Sequence, residues 1–377
     1  MAFSDFSLFR TLKFSYESYE LLPSNANPSN LRNPNRRRFI LLAIVFLTYT
    51  LVVCGLTSFL TQKRLEVHSY LDNYQYLNTV PIVRNESTWS SMSSSEHAVF
   101  TVLYSDSYAL ASAVLGNSIR HANVSASMIL PYIPDQLSPK ALCIVEAVGW
   151  QTHPVSLVPP PHNGEGIAHR FKDQYTKLTI WSLGEQLGID SAVYLDGDTL
   201  VLRNFDELFN FPWEFGAAQD VFPPHDPRAF SNTYNAGVLA FRPSQATFED
   251  MLVKLEMAKY PLEYAEQAFL NLYFGGKGVR LPYAYNGNMV VKERSAELWA
   301  ELRDDMRVLH YTALKPFWNP KTPDGQLLTP EEMEQYIEAA EEMKGGTYRD
   351  EVRLYLDAFH RTMEDSGPAI RACYDKS

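Results

Sequence analysis

The chain is predicted to be an α/β protein in which a mostly parallel sheet is covered by helices on both faces, behind one N-terminal membrane span. From Ala98 onward, short apolar runs alternate with longer stretches of helical spacing, which is typical of strand–helix–strand units. Near the start, one uncharged segment is long enough to cross a bilayer. The chain has 377 residues, 46% of them hydrophobic, enough for one large domain or two small ones.

The predicted membrane span is residues 39–60, which contain no charged side chain. A bilayer core needs about 20 apolar residues, whereas a buried core helix normally keeps a polar face. Three arginines at 36–38 precede the segment, and Lys63 and Arg64 follow it. The positive-inside rule therefore predicts that residues 1–38 are cytoplasmic and that the bulk of the chain is lumenal. The alternative, a cleaved signal peptide, would have a shorter apolar core and a shorter leading segment.

Composition predicts the remaining organisation. Residues 1–38 are rich in Ser, Asn, Pro and Tyr and are expected to be a disordered tail. Residues 61–97 are expected to be a stem that ends in a serine-rich run. Residues 98–320 then form the α/β domain, and residues 321–377 form an acidic, solvated C-terminal helical appendage.

The sequons, cysteines and charge bear on the compartment and partners. Asn85 and Asn123 lie in Asn-x-Ser sequons, which are glycosylated only in the secretory lumen. Cys54 lies in the span, whereas Cys143 and Cys373 can either pair in an oxidising lumen or remain two buried thiols. A net charge of -11 argues against nucleic acid as the main partner, and no cysteine or histidine spacing indicates zinc.

The elements of the α/β domain are predicted in chain order. Strands are expected at 98–104, from 128 onward, at 192–195 and at 236–241, and helices at 108–120 and 169–187. The second helix is predicted from the apolar spacing of Phe171, Tyr175, Leu178, Trp181 and Leu187. Ligands of such sheets bind at the carboxyl ends of the strands.

Asp196 and Asp198 follow the predicted strand 192–195 directly and are separated by Gly197. Two carboxylates at the end of a buried strand need a counter-ion, because charges are costly to place next to a core. Mg²⁺ or Mn²⁺ is typically held by one or two carboxylates together with substrate phosphates. An isolated Asp-x-Asp is often only a surface turn, but the strand-end position favours the chemistry of nucleotide-sugar transfer.

Three later segments offer polar groups next to apolar runs. Asn235, at the entry of the strand 236–241, can hydrogen-bond a sugar hydroxyl or merely form a turn. Glu266 and Gln267 begin an apolar helix, where acidic residues are also favoured by the helix dipole. His310 follows an apolar pair and is either a third metal ligand or a structural histidine, and Lys315 after it can pair with a phosphate.

Seven segments occur in an order that is typical of one enzyme family. They are FTVLYSDSYALASAVLGNSI, YTKLTIW, YLDGDTLVL, YNAGVLAFRPS, AEQAFLN, LPYAYN and HYTALKPFW, all between Ala98 and Trp318. In this order they resemble the glycogenin-like retaining glycosyltransferases of family eight, and the chain looks like a membrane-anchored, fungal-type member. The resemblance implies the GT-A fold, a Rossmann-like nucleotide-diphospho-sugar transferase domain of α/β/α layers.

The resemblance also implies roles for the residues that match. Asp196, Asp198 and His310 would bind Mn²⁺, or Mg²⁺ in its place, and Lys177 and Lys315 would face the diphosphate of a UDP-sugar donor. Four groups would surround the sugar and the reaction centre: Asn235, Glu266, Gln267 and Asn286. Tyr108 and the strand end around Val102 to Ser105 would hold uracil and ribose. The candidate catalytic residues are Glu266, Gln267 and Lys177.

The sequence departs from the family pattern in three places. Glu266 stands where the animal glycogenins have an aspartate, which changes the reach toward the anomeric carbon. Ala313 replaces a glycine, and one residue is missing before Lys315. Residues 286–300 contain no tyrosine, so self-glucosylation of the glycogenin type is not expected.

These features predict a type II Golgi membrane protein whose lumenal domain transfers a sugar from a UDP-sugar to a glycan, glycoprotein or glycolipid, with Mn²⁺. The alternative is a catalytically silent lumenal scaffold or binding protein that kept the fold. Glucose, galactose, N-acetylglucosamine, glucuronic acid and xylose all remain open as the donor sugar. Retention requires either a carboxylate nucleophile or attack by the acceptor on the leaving-group face, and the sequence favours the second route.

Overall fold

The computed structural model describes residues 34–65, 96–319 and 325–375. The chain divides into two compact units, Met1–His68 and Ser69–Ser377. The predicted tail at 1–38 and stem at 61–97 fall almost entirely outside the described residues, and so does the sequon at Asn85.

In the first unit, helix α1 covers Pro34–Leu65 and includes the predicted span. Its segment Arg38–Thr57 is long and apolar enough to cross a membrane, judged by length and composition. The side chains described in this segment are exposed. The segment is therefore a candidate for a single membrane span.

Within residues 96–319 and 325–375, the second unit has ten strands. They are β1 His97–Phe100, β2 Ser127–Tyr132, β3 Gln151–Pro154, β4 Ser191–Leu195, β5 Thr199–Val201, β6 Phe215–Val221, β7 Phe230–Phe241, β8 Val279–Leu281, β9 Gly287–Asn288 and β10 Val308–His310. Seven of them form one sheet in the order β3-β2-β1-β4-β7-β6-β8, and the other three form a small sheet, β5-β10-β9.

The helices of this unit cover the sheets and follow the strands in sequence. They are α2 Ala109–His121, α3 Pro139–Glu146, α4 Leu183–Leu187, α5 Gln245–Leu255, α6 Ala265–Phe274, α7 Val290–Arg294, α8 Ala296–Asp305, α9 Pro330–Ala340 and α10 Arg349–Tyr374. The predicted helix 108–120 is therefore confirmed as α2, and the predicted helical start at Glu266 and Gln267 as α6.

The large sheet is mostly parallel, as predicted. The run β3-β2-β1-β4 is parallel throughout, whereas β7 is antiparallel to both of its neighbours, β4 and β6. Strand β1 is shorter than predicted, although Thr101 and Leu103 continue the pairing by donating to the carbonyls of Ile129 and Pro131. The predicted strand 236–241 is the second half of the longer β7.

Alternate residues of the central strands enter two separate cores. On β4, Val193 and Leu195 belong to the core that contains α2, α3 and α10. Ala192 and Tyr194 belong to the opposite core, which contains α5 and α6. Because successive side chains of a strand point to opposite faces, this alternation places the sheet between two helical layers. The α/β/α layering predicted from the sequence is confirmed.

The predicted helix at 169–187 has a different form. The structure has 3₁₀ segments at His169–Phe171 and Asp173–Trp181, followed by the short α4. Tyr175, Leu178 and Trp181 recur every three residues, and all three are buried. A helix with three residues per turn places such a series on one face, so these three positions of the predicted series are buried as expected. Phe171 is only partly buried, Leu187 is exposed, and the type of helix differs from the prediction.

The C-terminal helices are part of the core rather than wholly solvated. Helix α9 begins with a capping box formed by Thr329 and Glu332. On α10, the expectation of a solvated appendage holds only for the outer face, because Val352, Tyr355 and Phe359 are buried on the inner one. Helix α10 therefore lies against the same hydrophobic core as α2 and α3.

Cys143 on α3 and Cys373 on α10 form a disulfide. This decides between the two alternatives that the sequence left open. The bridge joins residues 230 positions apart, with Cα atoms separated by 5.7 Å. A crosslink over so long a loop restricts the unfolded chain and fixes α10 to the layer beside it.

Candidate active site

The predicted metal ligands lie together beyond the carboxyl end of β4. Asp196 follows β4, Asp198 precedes β5, and His310 ends β10, which pairs with β5. One ligand atom from each of the three side chains lies within 4.8 Å of the other two. The small sheet is the reason, since the register that places His310 opposite Thr199 brings the histidine next to Asp198.

The orientation of His310 fits a metal ligand. Burial lowers its pKa, which keeps the imidazole neutral at neutral pH. Its Nδ1 lies 3.0 Å from Asn286 Oδ1, and Asn286 is itself oriented by donating from Nδ2 to Asn235 Oδ1 at 2.9 Å. Nδ1 then carries the proton, so the Nε2 lone pair faces Asp198 Oδ1 at 3.2 Å. Two acceptors this close can share a cation that lies beside both of them, and carboxylate and imidazole donors suit Mn²⁺.

Gly237 allows the histidine to approach β7. A Cβ atom at Gly237 would overlap the His310 ring. The carbonyl of Gly237 also accepts the backbone N–H of Asp196 at 2.8 Å. The Asn-x-Gly of β7 thus lies inside the strand rather than at its entry, and it joins two of the predicted metal ligands.

Lys177 is the buried cation of the site. Its side chain is 3% exposed, and its Nζ donates to Glu266 Oε1 at 2.8 Å and to the carbonyl of Ala236 at 3.3 Å, with Asp196 Oδ1 at 3.1 Å. Despite the burial, the two carboxylates raise the pKa of Lys177, so the amine stays charged. The donors of Lys177 are directed to protein acceptors in this arrangement, and its contact with a diphosphate stays a prediction.

Glu266 lies at the first turn of α6 with one free oxygen. Oε1 is bound by Lys177, while Oε2 is buried and has no hydrogen-bond partner among the described residues. Burial raises the pKa of the carboxyl, against the attraction of Lys177. The residue before it, Ala265, has φ 44°, a backbone conformation that is unfavourable for alanine.

A network of amides connects the remaining predicted residues. Asn235 Oδ1 accepts from Asn286 Nδ2 and from the N–H of Gly237 at 3.0 Å, and Gln267 Oε1 accepts the N–H of Ala236 at 3.0 Å. The network therefore brings Asn235, Asn286 and Gln267 together on one side of the metal ligands. All three were predicted for the sugar and the reaction centre.

Asp220, near the end of β6, lies in this network but was not predicted from the sequence. Its Oδ1 accepts from Asn235 at 3.0 Å and its Oδ2 from Gln267 at 3.0 Å. Burial raises its pKa, opposed by these hydrogen bonds. The sequence contained the same signal that identified Asp196, a carboxylate at the end of an apolar strand, in Ala217-Ala218-Gln219-Asp220.

Lys315 and Tyr108 complete the other side of the site. The Lys315 amine contacts Asp198 Oδ2, and burial lowers the pKa of this lysine to about 8. Tyr108 packs over Gly197, and burial together with the charge of Asp196 raises its pKa to about 12. Val102 is buried just beyond β1, in the core opposite α2.

The chain is similar in sequence to a family of known enzymes. Residues 99–322 match the family model described as glycosyl transferase family 8, which is more than half of the chain. The chain is 32% identical to inositol phosphorylceramide glucuronosyltransferase 1 of Arabidopsis thaliana over 48% of its length. It is 28% identical to the UDP-glucuronate:xylan alpha-glucuronosyltransferase 2 of the same plant over 58% of this chain. It is 23% identical to the glycogenin of Neurospora crassa over 59% of this chain.

The chain matches only part of these relatives. It covers 30%, 35% and 31% of their respective lengths. Among solved structures, it is similar to the glycosyltransferase GlyE of Streptococcus pneumoniae, with 18% identity, a TM-score of 0.44, and coverage of 71% of this chain and 64% of that one. It is also similar to the galactosyltransferase LgtC bound to donor and acceptor sugar analogs, with 20% identity and a TM-score of 0.42. The similarity covers 66% of this chain and 96% of LgtC.

Proposed function

The chain belongs to glycosyl transferase family 8, and we propose that it transfers a sugar from a UDP-sugar to a glycan, glycoprotein or glycolipid acceptor with retention of configuration. One observation carries the proposal. Asp196, Asp198 and His310 converge at the carboxyl end of β4, beside a lysine on each side and a network of amides. Two acidic ligands with cations next to them are suited to a metal-bound diphosphate.

In this proposal, the three ligands hold Mn²⁺ or Mg²⁺. The metal, when bound, would neutralise negative charge on the departing UDP. Lys315, at the rim beside Asp198, would move its ammonium group to the diphosphate and stabilise the same charge. Lys177 acts as a positioning residue, because its ammonium group holds the Asp196 carboxylate through an ion pair and neutralises Glu266.

The amide network is proposed to hold the donor sugar. Glu266 Oε2 is buried and unbonded, so it can accept a hydrogen bond from a sugar hydroxyl. Gln267 and Asn235, oriented by Asp220, would provide further polar contacts. With Glu266 occupied by Lys177, we propose that the acceptor attacks on the face from which UDP departs.

The experiment that tests the function is a donor panel. The detergent-solubilised full chain is incubated with Mn²⁺ and each of five UDP-sugars, those of glucose, galactose, N-acetylglucosamine, glucuronic acid and xylose, and UDP release is measured. Release from at least one donor that chelation abolishes is expected. UDP-glucuronic acid has a specific reason for inclusion, since two of the similar proteins are glucuronosyltransferases by name. No release and no binding of UDP would favour the silent scaffold.

We further propose that the protein is a type II Golgi membrane protein with a lumenal catalytic unit. The protein is expected to resist carbonate extraction, and residues 96–375 should be protected from protease in sealed vesicles. Asn123 is exposed in a turn with φ 52° and should carry an N-glycan. Digestion of this portion from the cytosolic side would contradict the topology.

A matched pair of variants makes the glycan test specific. Asn123→Gln should remove one glycosidase-sensitive mobility shift. Asn163 is likewise exposed with φ 55°, but it lacks a hydroxyl residue two positions later, so Asn163→Gln should change nothing. Loss of the shift in the second variant, or its persistence in the first, would contradict modification at Asn123.

Glu266→Gln is expected to keep measurable transfer. The neutral side chain still offers an oxygen to a sugar hydroxyl but loses the ion pair with Lys177, so kcat should fall by roughly 10- to 100-fold with retention unchanged. Activity and product anomer are measured by NMR on the donor identified in the panel. A sugar covalently bound to Glu266, detected by mass spectrometry during turnover, would show that the residue is a nucleophile instead.

A further inference from the structure

The segment that carries His310 and Lys315 rests on helix α10. Tyr311 directly follows His310, and its hydroxyl donates to the carbonyl of Glu351 on α10 at 2.8 Å. The rings of Tyr311 and Tyr355 meet edge to face, with centroids 5.1 Å apart. Helix α10 lies beyond residues 99–322, where the family match ends.

The same segment contacts the helix a second time. Phe317, two residues after Lys315, packs on Tyr355 with ring centroids 5.5 Å apart. The ring of Phe317 also meets the ring of Tyr108, the residue predicted to hold the base, edge to face with centroids 5.3 Å apart. Tyr355 thus lies under both ends of the loop that presents His310 and Lys315.

This loop is also connected directly to the acidic pair. The backbone N–H of Tyr311 donates to the carbonyl of Asp198 at 3.0 Å. A shift of Tyr311 would therefore move the backbone of one predicted metal ligand and the side chain of its neighbour, His310. The helix has no such direct contact with Asp196, which Lys177 and Tyr194 hold from the other side.

Helix α10 is itself firmly anchored. Glu351 is buried, and its carboxylate accepts from Lys292 at 2.8 Å and from the indole N–H of Trp299 at 2.8 Å. Near its other end, Cys373 is bonded to Cys143. A helix fixed at both ends can act as a rigid support for a loop that lies on it.

We infer that α10 is a positioning element of the donor site, and that the ring of Tyr355 holds residues 310–317 in the conformation that directs His310 and Lys315 toward Asp198. The inference rests on the proposed function for the identity of the ligand, UDP. The hydroxyl of Tyr355 is buried and has no hydrogen-bond partner among the described residues, so the ring and not the hydroxyl makes the contact.

The test uses the detergent-solubilised full chain and three variants. Tyr355→Ala removes the ring, and Tyr355→Phe keeps it. Phe359→Ala is the matched control, because Phe359 is a buried aromatic one turn further along α10 that has no ring contact with Tyr311 or Phe317. Amide hydrogen exchange over residues 308–317 and the Kd of UDP with Mn²⁺ are measured, together with Tm.

Tyr355→Ala is expected to speed exchange over 308–317 by roughly tenfold, because a loop without its support opens more often. The Kd of UDP should rise by about 5-fold or more. Tyr355→Phe should match the wild type in both readouts. Phe359→Ala should lower Tm as a core truncation does, yet leave loop exchange and UDP affinity unchanged.

Two results would overturn the inference: unchanged exchange over 308–317 in Tyr355→Ala, or an equal increase in Phe359→Ala. Both would mean that α10 only stabilises the fold. If the wild type neither binds UDP nor releases it from any donor, the proposed function fails. The exchange comparison between the two alanine variants then still decides whether Tyr355 holds the loop.

Discussion

Asp198→Asn is expected to reduce turnover by at least about 100-fold and to abolish stimulation by Mn²⁺, comparable to the loss of a major electrostatic contact in a transition state. The change preserves the volume of the side chain. It removes the negative charge that faces His310 at 3.2 Å and contacts Lys315. The measurement is UDP release at several Mn²⁺ concentrations, with Tm as a check on folding.

The control is Asp190→Asn, the same chemical change on an exposed residue that precedes the opposite end of β4. Its turnover and Mn²⁺ response should match the wild type. If Asp198→Asn also kept near wild-type turnover, Asp196-Gly197-Asp198 would be no more than a turn between β4 and β5.

Lys177→Met is expected to lower the free energy of unfolding by about 3–5 kcal/mol, because it leaves Glu266 as an uncompensated buried charge. Turnover should be lost as well, since Asp196 loses the cation that holds it. Unfolding is followed by urea titration with circular dichroism. Lys254→Met, which removes an exposed partner of Asp250, should leave the unfolding midpoint near that of the wild type.

The loss of stability in Lys177→Met should be larger at high pH than at low pH. Burial already raises the pKa of Glu266 in the folded state, and without Lys177 that pKa rises further. The folded state then binds a proton more tightly than the unfolded state, so stability decreases as pH rises from about 4.5 through the folded pKa. The variant should be less impaired at pH 5 than at pH 8.

A second substitution distinguishes the effect of the buried Glu266 charge from the effect of packing around Lys177. Lys177→Met combined with Glu266→Gln removes both members of the buried pair and should recover most of the lost stability. Turnover should not recover, because Asp196 still lacks its cation. A double variant as unstable as Lys177→Met alone would show that packing around Lys177, and not the buried charge of Glu266, determines the loss.

The sequence by itself predicted the layers, which the structure confirms, and a set of site residues, several of which the structure brings together. Short apolar runs predicted the strands, because a strand that is buried on both faces consists almost entirely of apolar residues. Asp196 and Asp198 were predicted as metal ligands because charges that end a buried strand need a counter-ion, whereas the metal role of His310 followed from the resemblance to the family. The family match at residues 99–322 covers the region in which the seven segments lie. The type of helix predicted for residues 169–187 was wrong. Apolar residues that recur every three positions fit a 3₁₀ helix as well as an α-helix.

Only the tertiary structure decided which of these groups touch. The spacing of Lys177 and Glu266 in the sequence says nothing of an ion pair, because they come from a 3₁₀ segment and a helix 89 residues apart. Asp220 joined the site through strand pairing. The bond between Cys143 and Cys373, and the support that α10 gives to Tyr311 and Phe317, depend on packing between distant elements. The order of apolar and polar residues within a segment determines which face that segment can bury. Contacts between remote segments depend instead on how the layers pack together.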